Sequence, residues 1–438
     1  MRSEAVATPV PTLQDADGAP IEDAYAVLVT WTSARAWSSS RAAHPRLEFR
    51  VAAGEELDLG GETFDYIVLS DLVPYVHDLL ALFERVVAHS HAQTRVIVSS
   101  YNPVWRPVLT LAERLHLKPS KPLRNWVSPD DVRNLLQLAG LEQVSLSRRI
   151  LFPKQVPFLT AALNGGLGNL WPFNHLCLTW WIVARPSPGA TLDRSVSIVC
   201  PCRNEQGHIA DLVRRVPELG SEMELVFVEG HSTDDTRGEI QRQMALHPKR
   251  RMRLIEQTGR GKGDAVRAGF SAANNDVLLI LDGDLSVPPE DLPKFYRALI
   301  DGRGELVNGS RLVYDMEPGA MRFLNMLGNK VFSRIFAAIT GQHVKDTLCG
   351  TKALLRSDYE HIAAGRSYFG DFDPFGDFDL LFGGARLGLK IVDLPVRYQR
   401  RAYGDTNISR WWHGLLLLRM TVFALWKFRV APYRTVAS

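Results

Sequence analysis

Two carboxylates two residues apart, Asp282-Gly283-Asp284, follow the apolar run Val277-Leu-Leu-Ile-Leu281 and precede Leu285-Ser-Val-Pro-Pro289. At a strand end, that spacing lets both carboxylates project the same way, and the intervening glycine lets the backbone approach a ligand closely. Hard cations such as Mg²⁺ and Mn²⁺ take one or two carboxylates and complete their shell with water and substrate phosphates, so the pair suits a nucleoside diphosphate. A pattern this short also occurs as a solvated acidic turn, so its context decides between the two readings. Three polar segments precede it in order: Pro201-Cys-Arg-Asn-Glu205, Glu229-Gly-His-Ser-Thr-Asp-Asp-Thr236 and Gly261-Lys-Gly-Asp-Ala-Val-Arg-Ala-Gly269. The Gly261-Lys262-Gly263 stretch is not a nucleotide-hydrolase phosphate loop, because glycine stands where Ser or Thr must follow the lysine. Cys200 and Cys202 have no second pair at metal-ligand spacing, which leaves a buried strand thiol and a loop thiol.

The elements that must position these groups are short. Ser195–Cys200, Leu225–Val228, Arg253–Ile255 and Val277–Leu281 read as buried strands separated by helical segments, each ending in a polar or glycine-containing loop. In such sheets ligands bind outside the carboxyl ends of the strands, so the loops at Pro201, Glu229 and Asp282 should face one crevice. Upstream, Phe64–Leu69 and Thr94–Ser99 read as strands and Asp78–Ala88 as an amphipathic helix. Ser128-Pro-Asp-Asp131 opens another helix, which stops at Gly140, and Leu176–Ala184 is a closing strand. The small-residue stretch Ala184–Asp193, ARPSPGATLD, separates the two halves.

At 438 residues the chain allows roughly two to four domains. Its 46% hydrophobic and 23% charged residues describe a globular chain, excluding a mainly disordered or collagen-like one. A net charge of +3 without a concentrated basic stripe gives no reason to expect nucleic acid. Four cysteines in so long a chain indicate buried thiols of a reducing compartment, with the cytoplasm as default. The amino-terminal residues have no apolar core of a secretory signal. Neither Leu159–Trp181 nor Gly414–Trp426 supplies the roughly 20 clean apolar residues of a membrane span.

The ordered motifs, together with Asn308-Gly-Ser-Arg311, Asp346-Thr-Leu-Cys-Gly-Thr-Lys352, Gly376-Asp-Phe-Asp-Leu380 and Arg401-Ala-Tyr-Gly-Asp-Thr-Asn407, closely resemble glycosyltransferase family 2. The likeness is to the dolichyl- or polyprenyl-phosphate sugar synthase type with the GT-A fold, over about residues 195 to 410. It implies that Pro201, Arg203, Glu205 and Glu229 border the base and ribose of a nucleotide sugar, with Lys262 near its phosphates and Arg311 among the donor-binding residues. Asp282 would touch the ribose or the metal's water shell, and Asp284 would bind Mn²⁺ or Mg²⁺. Arg401, Thr406 and Asn407 would close on the donor phosphates, and Asp377 and Asp379 would lie near the acceptor. Many relatives carry two aspartates where this chain has Glu229-Gly230, which leaves uridine and guanosine donors both open.

Residues from about 41 to 186 resemble the later part of a class I S-adenosylmethionine-dependent methyltransferase, on His44-Pro-Arg-Leu-Glu-Phe49, Glu55-Glu56, FDYIVLSDL and the Ser128 helix. The glycine loop that would meet the cofactor is missing, since Gly18 is the only glycine upstream of Gly54, so S-adenosylmethionine is not expected. The expected fold class is α/β: a GT-A transferase domain with a Rossmann-like mixed sheet, plus a smaller incomplete Rossmann-like methyltransferase-type domain. The expected division is a poorly ordered or remnant segment over 1–40, the degenerate domain over 41–183, a linker over 184–194, the transferase over 195–404 and an amphipathic helix and tail over 405–438. In that tail, Trp411, Trp412, Phe423 and Trp426 among Arg410, Arg419, Lys427 and Arg429 have the composition of an interfacial helix at the inner face of a membrane; the competing reading is that its leucines cover the core. The expected function is metal-dependent, inverting transfer of a sugar from a nucleotide donor to a polyprenyl-phosphate or glycan acceptor. The alternative is a methyltransferase-like scaffold in a glycan assembly complex.

Overall fold

Apolar runs bounded by polar loops organise the chain into two seven-stranded mixed sheets, one in each of two units: Met1–Pro188 with Leu425–Ser438, and Gly189–Ala424. The computed structural model describes residues 61–76, 78–115, 126–154, 156, 159–188, 193–312, 323–366, 376–399, 419–420 and 422–430, together with the backbone of three strands nearer the amino terminus.

Those three strands are β1 (Ala5–Val10), β2 (Ala26–Trp31) and β3 (Arg50–Ala52). Two of them fall in the stretch read from sequence as remnant, and β2 pairs in parallel with β4 (Phe64–Ser70). β5 (Ser90–Tyr101), β6 (Leu141–Arg149) and β7 (Thr179–Pro186) complete the sheet in the order β3-β1-β2-β4-β5-β7-β6. β7 is antiparallel to both its neighbours, so it lies inside the sheet and β6 forms the edge. Helix Leu79–Ala88 starts where Asp78 accepts the Ala81 N–H at 3.0 Å, and it buries Leu79, Leu82, Phe83 and Val86. Helix Pro129–Leu138 has the expected cap: Ser128 and Asp131 each bond the other's backbone, and Gly140 leaves the helix at φ +84°.

In the second unit β8 (Val196–Cys202), β9 (Met223–Glu229), β10 (Met252–Glu256), β11 (Val277–Ile280), β12 (Leu306–Ser310), β13 (Lys352–Leu355) and β14 (Ile391–Pro395) lie in the order β10-β9-β8-β11-β13-β12-β14. β10, β9, β8 and β11 run parallel, and β13 runs against both β11 and β12. The three inner parallel strands read as largely apolar runs because both their faces are covered, and the polar Ser197 and Glu224 within them bond each other at 2.6 Å. Ile209, Leu212 and Phe295 from the flanking helices join Ile198, Phe227 and Leu279 in one core. That core fixes the strand ends, and the chemistry-bearing loops leave the sheet from its carboxyl edge. All four cysteines are free and buried.

Candidate active site

Register brings the expected loops to one edge. Cys202 at the end of β8 is opposite Glu229 at the end of β9, and Gly230 N–H donates to the Cys202 carbonyl at 2.9 Å. Leu281 N–H donates to Val199 O at 3.0 Å, which brings Asp282 and Asp284 up beside the same edge. Gly283 was expected to leave room for a ligand, but its close neighbour is the protein itself. A Cβ there would lie 3.0 Å from Pro201 O and 3.1 Å from Cys202 Sγ. The glycine therefore packs the acidic loop onto the end of β8. Beyond it the chain turns sharply, with Leu285 at φ +53° and Asp284 Oδ1 accepting the Ser286 N–H at 3.0 Å. Both acidic side chains remain partly exposed.

Lys262 is the first residue of helix Lys262–Ala272, which follows Gly261 at φ +87°. That conformation favours glycine, and Gln257 Nε2 secures it by donating to Gly261 O at 2.7 Å. Lys262 Nζ lies 2.6 Å from Asp282 Oδ1. Gly350 covers this ion pair so closely that a Cβ would lie 1.9 Å from Nζ and 2.4 Å from Asp282 Oδ2. Gly376, at φ +73°, sits against Gly263, with its missing Cβ 2.9 Å from the Gly263 Cα. Helix Asp377–Arg386 therefore begins beside the start of the lysine helix.

The two loops after β8 and β9 are knitted together. Asn204, at φ +58°, donates its N–H to Ser232 Oγ at 3.0 Å and accepts the Thr233 N–H on Oδ1 at 2.7 Å. Glu229 accepts the N–H groups of Ser232 at 2.6 Å and His231 at 3.2 Å. Burial opposes its ionisation, but these donors win and hold its pKa below the ordinary value of 4.5. Glu205 is buried, with Oε2 2.8 Å from His208 Nδ1 and its N–H on Thr236 Oγ1 at 2.9 Å. Both acids were expected to border base and ribose, and both hold the loops that form this edge. Pro201 is half-buried and Arg203 exposed.

Arg311, expected at the donor, pairs with Asp346. Its Nε and one terminal nitrogen donate to the fully buried Asp346 at 2.7 and 2.8 Å, and its N–H adds a third bond at 3.0 Å. Asn329 Nδ2 and the Leu348 N–H complete the carboxylate's shell at 2.5 and 3.1 Å. Burial pushes the Asp346 pKa up, yet the arginine and these donors hold it at about 2. A fork-to-fork pair this enclosed serves to fix the loop 346–352. At the loop's other end the fully buried Lys352 donates to the Cys349 carbonyl. The loop thereby presents Gly350 to the Lys262–Asp282 pair.

Asp379, expected near the acceptor, is buried and accepts from Arg366 Nε at 2.8 Å. Arg386, at the end of the same helix, donates to Gly365 O at 3.3 Å. For Asp377 only the backbone is described. Asp371, Asp373, Arg401, Thr406, Asn407, Trp411 and Trp412 lie outside the described residues. Among the described residues, no three His, Cys, Asp or Glu side chains converge as a metal site, and no helix is long and apolar enough to cross a membrane. Sequence reasoning missed Gly350, Asn329 and Arg366. Gly350 lies inside a motif already singled out, whereas Arg366 carries no local signal.

The model of glycosyl transferase family 2 matches residues 197–363. Glycosyltransferase AglJ of Haloferax volcanii is 33% identical over 226 residues, covering 51% of this chain and 68% of that protein. The dolichyl-phosphate hexose transferase of the same organism is 31% identical over 219 residues, covering 49% of this chain and 86% of that protein. Among solved structures, glucosyl-3-phosphoglycerate synthase of Mycobacterium tuberculosis is 21% identical over 54% of this chain and 81% of its own, with a TM-score of 0.39. On the identity and coverage of its Haloferax relatives, the chain belongs to glycosyl transferase family 2 and is a glycosyltransferase.

Proposed function

We propose that the protein moves a sugar, with inversion at the anomeric carbon, from a nucleotide-sugar donor to a polyprenyl-phosphate acceptor, using Mn²⁺ or Mg²⁺. The observation that carries this reading is the pairing of Lys262, which opens the helix after β10, with Asp282, which follows β11 together with Asp284. The donor set fits a hard cation: two partly exposed carboxylates supply oxygen ligands and leave positions for water and phosphate. Asp284 would hold the cation with Asp282 beside it. When bound, such a cation neutralises charge on the leaving diphosphate.

The chain's own groups do the rest. Lys262 exchanges its bond to Asp282 for the donor phosphates, and Arg401, Thr406 and Asn407 close on them from the later segment. The C1–oxygen bond to the diphosphate breaks, its electron pair leaves with the nucleoside diphosphate, and an acceptor oxygen bonds C1 from the opposite side. Charge developing on the leaving group meets the Lys262 ammonium. Asp377 and Asp379 orient the acceptor. A lipid phosphate, with a second pKa of about 6, is largely ionised at neutral pH and needs positioning more than deprotonation. The name of the dolichyl-phosphate hexose transferase relative supports this acceptor class. The four buried thiols support a reducing, cytoplasmic setting, and a lipid acceptor supports work at the inner membrane face. The first unit is read as a degenerate methyltransferase-like scaffold, for which calorimetry with S-adenosylmethionine should give no binding heat.

Titration calorimetry with UDP and GDP, each with and without MnCl₂, tests the donor reading. One of the two should bind in a cation-dependent way and weaken by roughly tenfold or more in Asp284→Ala. Equal binding without the cation and in the variant would contradict it.

A further inference from the structure

Helix Arg106–Arg114 buries none of its residues, although its apolar positions are ordered as if for burial. Val104, Val108, Leu111 and Leu115 recur at intervals of four, three and four, so they share one face. All four are more than half exposed. The start of this helix is tied to the segment 170–176 by Trp105 Nε1, which donates to Leu176 O at 2.8 Å, and by Asn102 Nδ2, which donates to His175 O at 2.8 Å. That segment exposes Leu170 at 56%, Leu176 at 46% and Trp171 at 79%. Single exposed apolar residues are ordinary, but two joined segments of them mark an interaction surface.

Charge identifies the occupant. Across residues 101–115 and 150–178 the sequence has Arg106, Arg114 and Lys154 against one acid, Glu113, and all three cations are exposed. The carboxyl-terminal turn Trp426–Val430 belongs to the same unit and packs on Ala161–Gly166, adding a 40% exposed Trp426 with Lys427 over its ring. Leucines and tryptophans among cations, with almost no acid, suit the boundary between acyl chains and anionic headgroups. Trp171 is the most exposed of these side chains and has the amphipathic ring favoured at a membrane boundary. We propose that this face of the first unit docks on an anionic lipid bilayer. The surface is distinct from the transfer site, and its test uses neither donor nor acceptor, so it fails separately from the proposed reaction.

The full chain should co-sediment with vesicles of phosphatidylglycerol and phosphatidylcholine, and more weakly with phosphatidylcholine alone or at high salt. The double variant Val108→Glu/Leu111→Glu should partition about tenfold or more weakly. It changes exposed positions only, so its melting temperature should match the native chain's. Brominated lipids should quench a fluorescence component that Trp171→Phe removes, a readout that does not depend on the double variant's folding. Native-like vesicle binding by the double variant, or quenching that Trp171→Phe does not reduce, would overturn the proposal. So would a native dimer that the double variant converts to a monomer, since the face would then belong to a second copy.

Discussion

A single methyl group on Gly350 reaches the candidate site without touching the sheet. In Gly350→Ala the new Cβ would lie 1.9 Å from Lys262 Nζ and 2.4 Å from Asp282 Oδ2, distances that real Cβ contacts, which stay above 3.0 Å, do not reach. The backbone at 350 is outside the left-handed region, so alanine adds no conformational strain of its own. The lysine ammonium must withdraw by about 1 Å or more and surrender its 2.6 Å contact with Asp282. Because that pair is partly exposed, the stability cost is about 1 kcal/mol or less. Misplacing a charge by about 1 Å at the reacting phosphates costs on the order of 100-fold in kcat/KM, or about 2.7 kcal/mol of transition-state stabilisation. Steady-state sugar transfer measured beside urea unfolding separates the two effects. Activity within about twofold of native, with the fold retained, would refute the assignment of Lys262 to the donor phosphates.

Asp346→Asn should destabilise the second unit by about 3–5 kcal/mol, because it strands the Arg311 guanidinium in a buried site; Arg311→Met/Asp346→Leu should cost less than the two single changes together. Additive costs in denaturant unfolding would contradict this coupling. Glu229 and Asp346 both have folded-state pKa values below their ordinary 4.5 and 3.8, so their stabilisation is complete above pH 4.5 and is lost as pH falls through each folded value. Unfolding measured from about pH 6 to about pH 2 should show that loss, and Glu229→Gln should flatten the part of it that the Ser232 and His231 donors create. Asp379→Asn should reduce transfer to a hydroxyl acceptor by about 10²–10⁴-fold and transfer to a lipid phosphate much less. Equal loss with both acceptors would remove the distinction drawn between them.

The strands and their loop ends were legible because apolar periodicity and glycine or proline punctuation are local. Val196–Cys202, Met223–Glu229 and Val277–Ile280 fall where those patterns predict, and their parallel order brings Pro201, Glu229 and Asp282 to one edge. Partners separated by long stretches of chain were not legible. Nothing near Arg311 marks Asp346, 35 positions away, as its counter-ion, so this pairing was not visible in the motif that holds the arginine. Likewise nothing local marks Arg366, 13 positions away, as a partner of Asp379. Gly283 and Gly350 show the same limit in backbone. Each was visible as a glycine beside chemistry, but only the packing showed that one faces the end of β8 and the other the Lys262–Asp282 pair. β1 and β2 escaped notice because short apolar runs at a chain end join a sheet only through partners distant in sequence.

The most direct measurement offers a panel of labelled sugar nucleotides with Mn²⁺ or Mg²⁺ and polyprenyl phosphate, and follows the label into the organic phase. One donor should label the lipid, chelating the cation should abolish the transfer, and Asp284→Ala should do the same. Transfer that persists in the chelated enzyme and in Asp284→Ala would contradict the proposed reaction, as would a donor panel that leaves the lipid unlabelled.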